Sequence, residues 1–138
     1  MPMAQMPSAE QLKHLLEGPV GQPFVMVNLI RFKPVADGSD GKVSGAESYQ
    51  RYGGPMQKII GSIGGRLLWS GFVDSVVIGE PDDDEIVQMV ALVEYPSREA
   101  FVTMLQDPRL AEIGGFRMAG LDGQWLFAST QVYPPRTV

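Results

Sequence analysis

Three observations predict an α+β domain with a four-stranded antiparallel sheet and its helices on one face. The first is the stretch FVMVNLIRF (24–32), apolar on both sides as a central strand covered on both faces would be. The second is a glycine-terminated amphipathic segment that runs directly into a strand at Gly64-Gly65-Arg66. The third is an acidic turn with Pro81 between two strand-like stretches, which implies a hairpin. At 138 residues the chain has the length of one ordinary domain, and we take 1–138 as a single unit.

Residues 8–17 read as a short helical arm. Ser8 and Gln11 form a capping box, Leu12, Leu15 and Leu16 make the apolar stripe, and Gly18-Pro19 ends it. The core, 24–133, begins with the strand 24–32, in which Asn28 is the one polar exception among inward positions. A loop rich in Gly, Asp and Pro follows. The next helix starts at Ser44, with Glu47 three residues on, and repeats Tyr49, Tyr52, Met56, Ile59, Ile60 and Ile63 at helical spacing. Gly53-Gly54-Pro55 predicts a kink within it.

Residues 66–79 read as a long strand bent at Gly71. Residues 86–95 return as its hairpin partner, and Pro96-Ser97 stops that strand and caps a helix carrying Phe101, Met104 and Leu105. Asp107-Pro108, an N-cap with proline at the first helical position, opens a further helix to about residue 119. Residues 124–133 are the last strand, and Pro134-Pro135 begins a tail. Without the arm the order is βαββαβ, the ferredoxin-like arrangement. Its strands are apolar on both sides, so the sheet face away from the helices also needs cover. A symmetric homodimer packed sheet on sheet would supply it.

Composition excludes several functions. A net charge of -5 and a pI near 4.7, with no basic run, argue against nucleic acid or an anionic membrane as partner. No cysteine is present, so thiolate nucleophiles, disulfides and iron–sulfur ligation are absent. No apolar run reaches spanning length, and the first seven residues lack a signal-peptide pattern, so a cytoplasmic location is expected.

His14 is the single histidine, beside Leu15 on the arm, which argues against a metal or haem centre and against a Ser–His–Asp triad. Asp82-Asp83-Asp84-Glu85 lacks the alternating ligands and glycine of a calcium loop and reads as a solvated turn. Ser70 and Ser97 have no adjacent base. We expect neither a metal nor a cofactor.

The stretches Tyr49-Gln50-Arg51-Tyr52, Gly64-Gly65-Arg66, Gly71, Val93-Glu94-Tyr95-Pro96-Ser97 and Arg117-Met118-Ala119-Gly120-Leu121 resemble the DUF1330 family of dimeric α+β barrel proteins. The opening Asn28-Leu29-Ile30-Arg31-Phe32 is similar to its N-terminally extended members, and the resemblance covers about 24–132. It implies a ferredoxin-like fold and a homodimer. It brings no catalytic residues, and relatives in the wider superfamily include cofactor-independent monooxygenases, isomerases and haem enzymes.

Asn28, Tyr52, Arg66, Trp69, Glu94 and Arg117 are the candidate ligand-binding residues. Asn28 is either hydrogen-bonded to its surroundings or a polar anchor in an apolar pocket. Arg66 either binds the exposed helix carbonyls or pairs with a carboxylate such as Glu94, or else Arg66 and Arg117 together hold a ligand carboxylate or enolate. Trp69 and Tyr52 serve as core or as ligand platform. Glu94, if buried, would become basic enough for proton abstraction. Two functions follow from these alternatives. One is a homodimer with a pocket for a small anionic or phenolic molecule, with cofactor-free proton transfer or oxygenation. The other is a non-catalytic dimeric module whose core is filled.

Overall fold

A computed structural model describes residues 3–136 of the chain; residues 1–2 and 137–138, the ends of the N-terminal segment and of the tail, lie outside it. In chain order the elements are α1 (Ala9–Leu16), β1 (Phe24–Phe32), α2 (Gly45–Ser62), β2 (Arg66–Phe72), β3 (Met89–Tyr95), α3 (Arg98–Met104), α4 (Pro108–Gly120) and β4 (Leu121–Ser129). A single 3-10 turn, Asp83–Glu85, sits in the connection between β2 and β3.

The four strands form one sheet in the order β2-β3-β1-β4, antiparallel at every pairing. This is the ferredoxin-like arrangement, with the two βαβ halves interleaved so that β1 and β3 are central. The helix-facing residues of the central strands, Phe24, Met26, Val93 and Tyr95, pack with Met56, Ile59 and Ile60 of α2 and with Phe101 and Met104 of α3. Phe24 and Tyr95 stack with ring centroids 5.7 Å apart, and Phe101 meets Tyr95 edge-on at 5.1 Å.

Local chemistry explains the helix starts. Ser8 and Gln11 form the reciprocal capping box at α1. Ser44, Ser97 and Asp107 accept backbone N–H bonds at the starts of α2, α3 and α4. The starting end of α2 touches the finishing end of α4 backbone to backbone. A Cβ on Gly45 would lie 2.0 Å from the Lys33 carbonyl oxygen, and one on Gly120 would lie 2.2 Å from the Gly45 oxygen. Only hydrogen fits at either position.

Several element boundaries differ from those read in the sequence. α2 is the single helix read in the sequence, Gly45–Ser62, with Pro55 inside it. The irregularity expected at Gly71 lies instead between Leu67 and Trp69, where the β2–β3 register shifts. β2 ends at Phe72, not residue 79, because the β2–β3 ladder ends at Phe72–Met89 and only the Val73–Gln88 bond continues it. β3 accordingly begins at Met89 and β4 spans Leu121–Ser129, not 124–133. No helix among the described residues is long and apolar enough to cross a membrane.

Candidate functional site

The register of the sheet decides which candidate residues can meet. Asn28 pairs with Ala91, which pairs with Ser70, so the three share the helix-facing side. Between this face and α2 lies a cleft of about 150 Å³, lined by Asn28, Ser70 and Ala91 below and by Tyr49, Tyr52 and Met56 above. Tyr95 contributes a third phenol from β3.

The spacing of Tyr49 and Tyr52 puts both on the sheet-facing side of α2, with rings 5.4 Å apart. Burial pushes the phenols of Tyr49, Tyr52 and Tyr95 up from their ordinary value. Tyr49 is raised further by Tyr52, and Tyr95 by both Tyr52 and Tyr49, so the three hydroxyls are close enough to repel once ionised. Arg117 opposes the rise at Tyr49 and Tyr52. All three therefore remain neutral hydrogen-bond donors at physiological pH. Among the described residues none of the three hydroxyls, nor that of Ser70, has a protein partner, whereas Ser48 at the start of the same helix donates to the Phe116 carbonyl at 2.9 Å.

Asn28 is held from three sides. Its Nδ2 donates to the carbonyls of Met26 at 3.3 Å and Ala91 at 3.2 Å, and its Oδ1 accepts from Gln124 Nε2 at 2.8 Å. Gln124 Oε1 in turn accepts from Arg117 Nη2 at 2.8 Å. Arg117 thus reaches the cleft through Gln124 instead of lining it. Asn28 keeps one free Oδ1 lone pair, which makes it an acceptor toward anything in the cleft.

Arg66, Trp69 and Glu94 lie elsewhere. Trp69 pairs with Leu92 and Arg66 with Glu94, all pointing to the opposite sheet face. For Trp69 the shift between Leu67 and Trp69 is the cause: an extra residue inverts the in–out alternation beyond it, putting Ser70 inside and Trp69 outside, while Arg66 and Glu94 face outward by simple alternation. The Trp69 ring lies over Gly71, where a Cβ would come within 2.6 Å of it. Glu94 accepts from Arg66 Nε at 3.3 Å and from Arg136 Nη2 at 2.9 Å. The cleft therefore lies beside Asn28, and Arg66 does not line it.

Simple parity along 66–71 would place Arg66 and Ser70 together, so the sequence signal for the cleft was confounded by one inserted residue. Tyr49 and Tyr95 were visible as apolar positions, without a mark separating lining from core. Gln124 had no signal.

Fold and cleft together define a ferredoxin-like α+β protein with a phenol-lined cavity between its sheet and first core helix. The chain belongs to the family of RPA0582, a protein of unknown function from Rhodopseudomonas palustris. One crystal structure, of methylated RPA0582 protein, is 31% identical with a TM-score of 0.83, covering 99% of this chain and 100% of that one. A second RPA0582 structure is 30% identical with a TM-score of 0.83, covering 96% of this chain and 99% of its own. No family model matches the chain, and no curated protein matches it.

Proposed function

We propose that the chain is a small-molecule binding protein whose cleft takes a single-ring phenolic compound. The observation that carries this reading is the cluster of partnerless hydroxyls on Tyr49, Tyr52, Tyr95 and Ser70, facing the Asn28 acceptor around about 150 Å³. An apolar cavity of about that size accommodates one benzene ring, and convergent polar groups fix orientation in such sites. A phenol would donate to Asn28 Oδ1 and accept from a tyrosine.

The lining favours binding over proton abstraction. It holds no carboxylate and no histidine, the tyrosines are poor bases, and Glu94 is on the other face. It also holds no cation, which favours a neutral phenol over an anion in this cavity.

The functional unit in this proposal is a homodimer of the dimeric α+β barrel type implied by the DUF1330 resemblance. Support comes from the helix-free sheet face, where Trp69 and Phe127 are 55% and 52% exposed and Trp125 stacks on Phe127 at 6.5 Å. Contiguous exposed apolar area of this kind marks an interaction surface.

The test is a thermal-shift titration with phenol, benzyl alcohol and benzoate. Phenol at a hundredfold excess over its dissociation constant should stabilise the fold by about 2.7 kcal/mol. Tyr52→Phe and Tyr95→Phe should each weaken that response. A phenol response that survives in both variants would reject the cleft as the site.

A further inference from the structure

A second opening lies between the N-terminal arm and the body of the protein. Leu12 and Leu15 of α1 form one side, and Met26, Leu126 and Phe101 form the floor and far wall. Two arginines, Arg98 and Arg117, line the same groove.

Arg98 is the first residue of α3, directly after the Ser97 cap, and is 8% exposed. Its guanidinium carbon lies 5.0 Å from the centre of the Phe24 ring. The backbone at Gly18 is so close that a Cβ there would come within 2.7 Å of that carbon. A guanidinium carries five N–H donors and cannot give up its charge. Here it makes one long bond, Nη1 to the Leu15 carbonyl at 3.5 Å. Nε is buried with no acceptor, and among the described residues no carboxylate lies within 4.0 Å of the side chain.

A buried cation without an anionic partner is expensive to maintain. The negative end of α1 and the face of Phe24 offset part of that charge. They leave Nη2 without a partner, and unlike Nε it is not sealed from the groove, so it can donate a charge-assisted hydrogen bond to a carboxylate. Glu10 and Glu17 also line the groove, but they are exposed on the arm and pair with neither arginine. Arg117 spends its polar contacts on Gln124 and on the sulfurs of Met6 and Met118.

We infer that this groove binds a monocarboxylate with an apolar body, its carboxylate at Nη2 of Arg98 and its body along Met26 and Leu126. The site is separate from the phenol-lined cleft and requires nothing of it. The charge is matched by Arg98, and the length by an open, largely apolar trough too long for a single-ring ligand. Arg117 supplies a second positive charge further along the trough.

Isothermal titration of the full chain with octanoate and with 1-octanol, equal in chain length and different in charge, tests this directly. Octanoate should bind about tenfold or more tightly than 1-octanol, as one charge-assisted contact implies. Arg98→Met should remove that preference, and Tyr52→Phe should leave it intact. Ala128→Trp, on the exposed part of the groove wall, should block octanoate without disturbing the core, and so decides the matter if Arg98→Met does not fold. Equal affinity for the acid and the alcohol, or octanoate binding that persists in Ala128→Trp, would overturn the inference. Loss in Arg117→Met with retention in Arg98→Met would overturn the assignment to Arg98.

Discussion

Gln124 Nε2 donates to Asn28 Oδ1 at 2.8 Å, joining the edge strand β4 to the central strand β1 through side chains as well as backbone. Arg117 completes the chain from the far side by donating to Gln124 at 2.8 Å. The half-buried Asn28 amide thereby has both Nδ2 bonds and one Oδ1 bond made, and its orientation in the cleft is fixed by a residue on another strand.

Breaking this link should be felt as a stability loss coupled between the two positions. Asn28→Leu strands the Gln124 amide, and Gln124→Leu strands Asn28 Oδ1, each costing about 1–3 kcal/mol. The double variant should lose less than the sum of the two, with a coupling of about 0.5–3 kcal/mol. Urea unfolding of the four proteins in the cycle measures it. Strict additivity would mean that the amide pair contributes nothing as a pair.

The three cleft phenols predict an alkaline limit to stability. Each ionises at a higher pH when folded than when unfolded, so above the ordinary tyrosine value the unfolded chain loses protons that the folded chain keeps. Stability is therefore fully present below about pH 10 and declines as pH rises beyond it. Tyr49→Phe and Tyr95→Phe should flatten that decline. Ultraviolet titration of phenolate alongside thermal melts between pH 8 and 12 would follow both effects. A decline of unchanged steepness in the double variant would place its cause elsewhere.

The fold was legible because its signals are local and redundant. Ser8, Ser44, Ser97 and Asp107 marked four helix starts, and each side chain does cap its helix. The antiparallel order followed from short connections and apolar strands. The site was legible only in part. Asn28 and Tyr52 do meet in one cleft, because each belongs to an element whose periodicity is unbroken. Trp69 was lost to a register shift between Leu67 and Trp69, which leaves no mark in the sequence and reverses the faces beyond it, whereas Arg66, before the shift, alternates with Leu67 and faces outward opposite Glu94. Arg98 was invisible for a different reason. Its burial comes from the arm folding back over it, a long-range contact that no local pattern announces.

The contact between Gly45 and Gly120 brings the start of α2 against the end of α4, and α2 also carries Tyr49 and Tyr52 of the cleft. Gly45→Ala would drive a methyl into the Lys33 carbonyl, and Gly120→Ala into that of Gly45. Both obstacles are backbone, so relief requires moving a helix end, at about 1–3 kcal/mol or more. Each variant should lower the melting temperature and also weaken phenol binding, since Tyr49 and Tyr52 move with α2. A Gly53→Ala control, where a Cβ meets nothing within 4 Å, should not destabilise the fold.

The helix-free face of the sheet supports the final prediction. Trp69 and Phe127 project from it more than half exposed, while Leu92 and Val27 lie between them in register on β3 and β1. Beyond β2, Val76, Val77 and Ile78 are 53%, 87% and 93% exposed. Among the described residues no helix covers this surface, and a second copy related by a two-fold axis would present the same surface in return. Trp69→Glu combined with Phe127→Glu should therefore shift sedimentation from dimer to monomer. The secondary structure should persist, because neither side chain contributes to the buried core. The distribution would respond to protein concentration, as an association equilibrium must. A wild-type chain that sediments as a monomer at every concentration, with the face equally exposed, would remove the homodimer and leave the cleft as a property of the single chain.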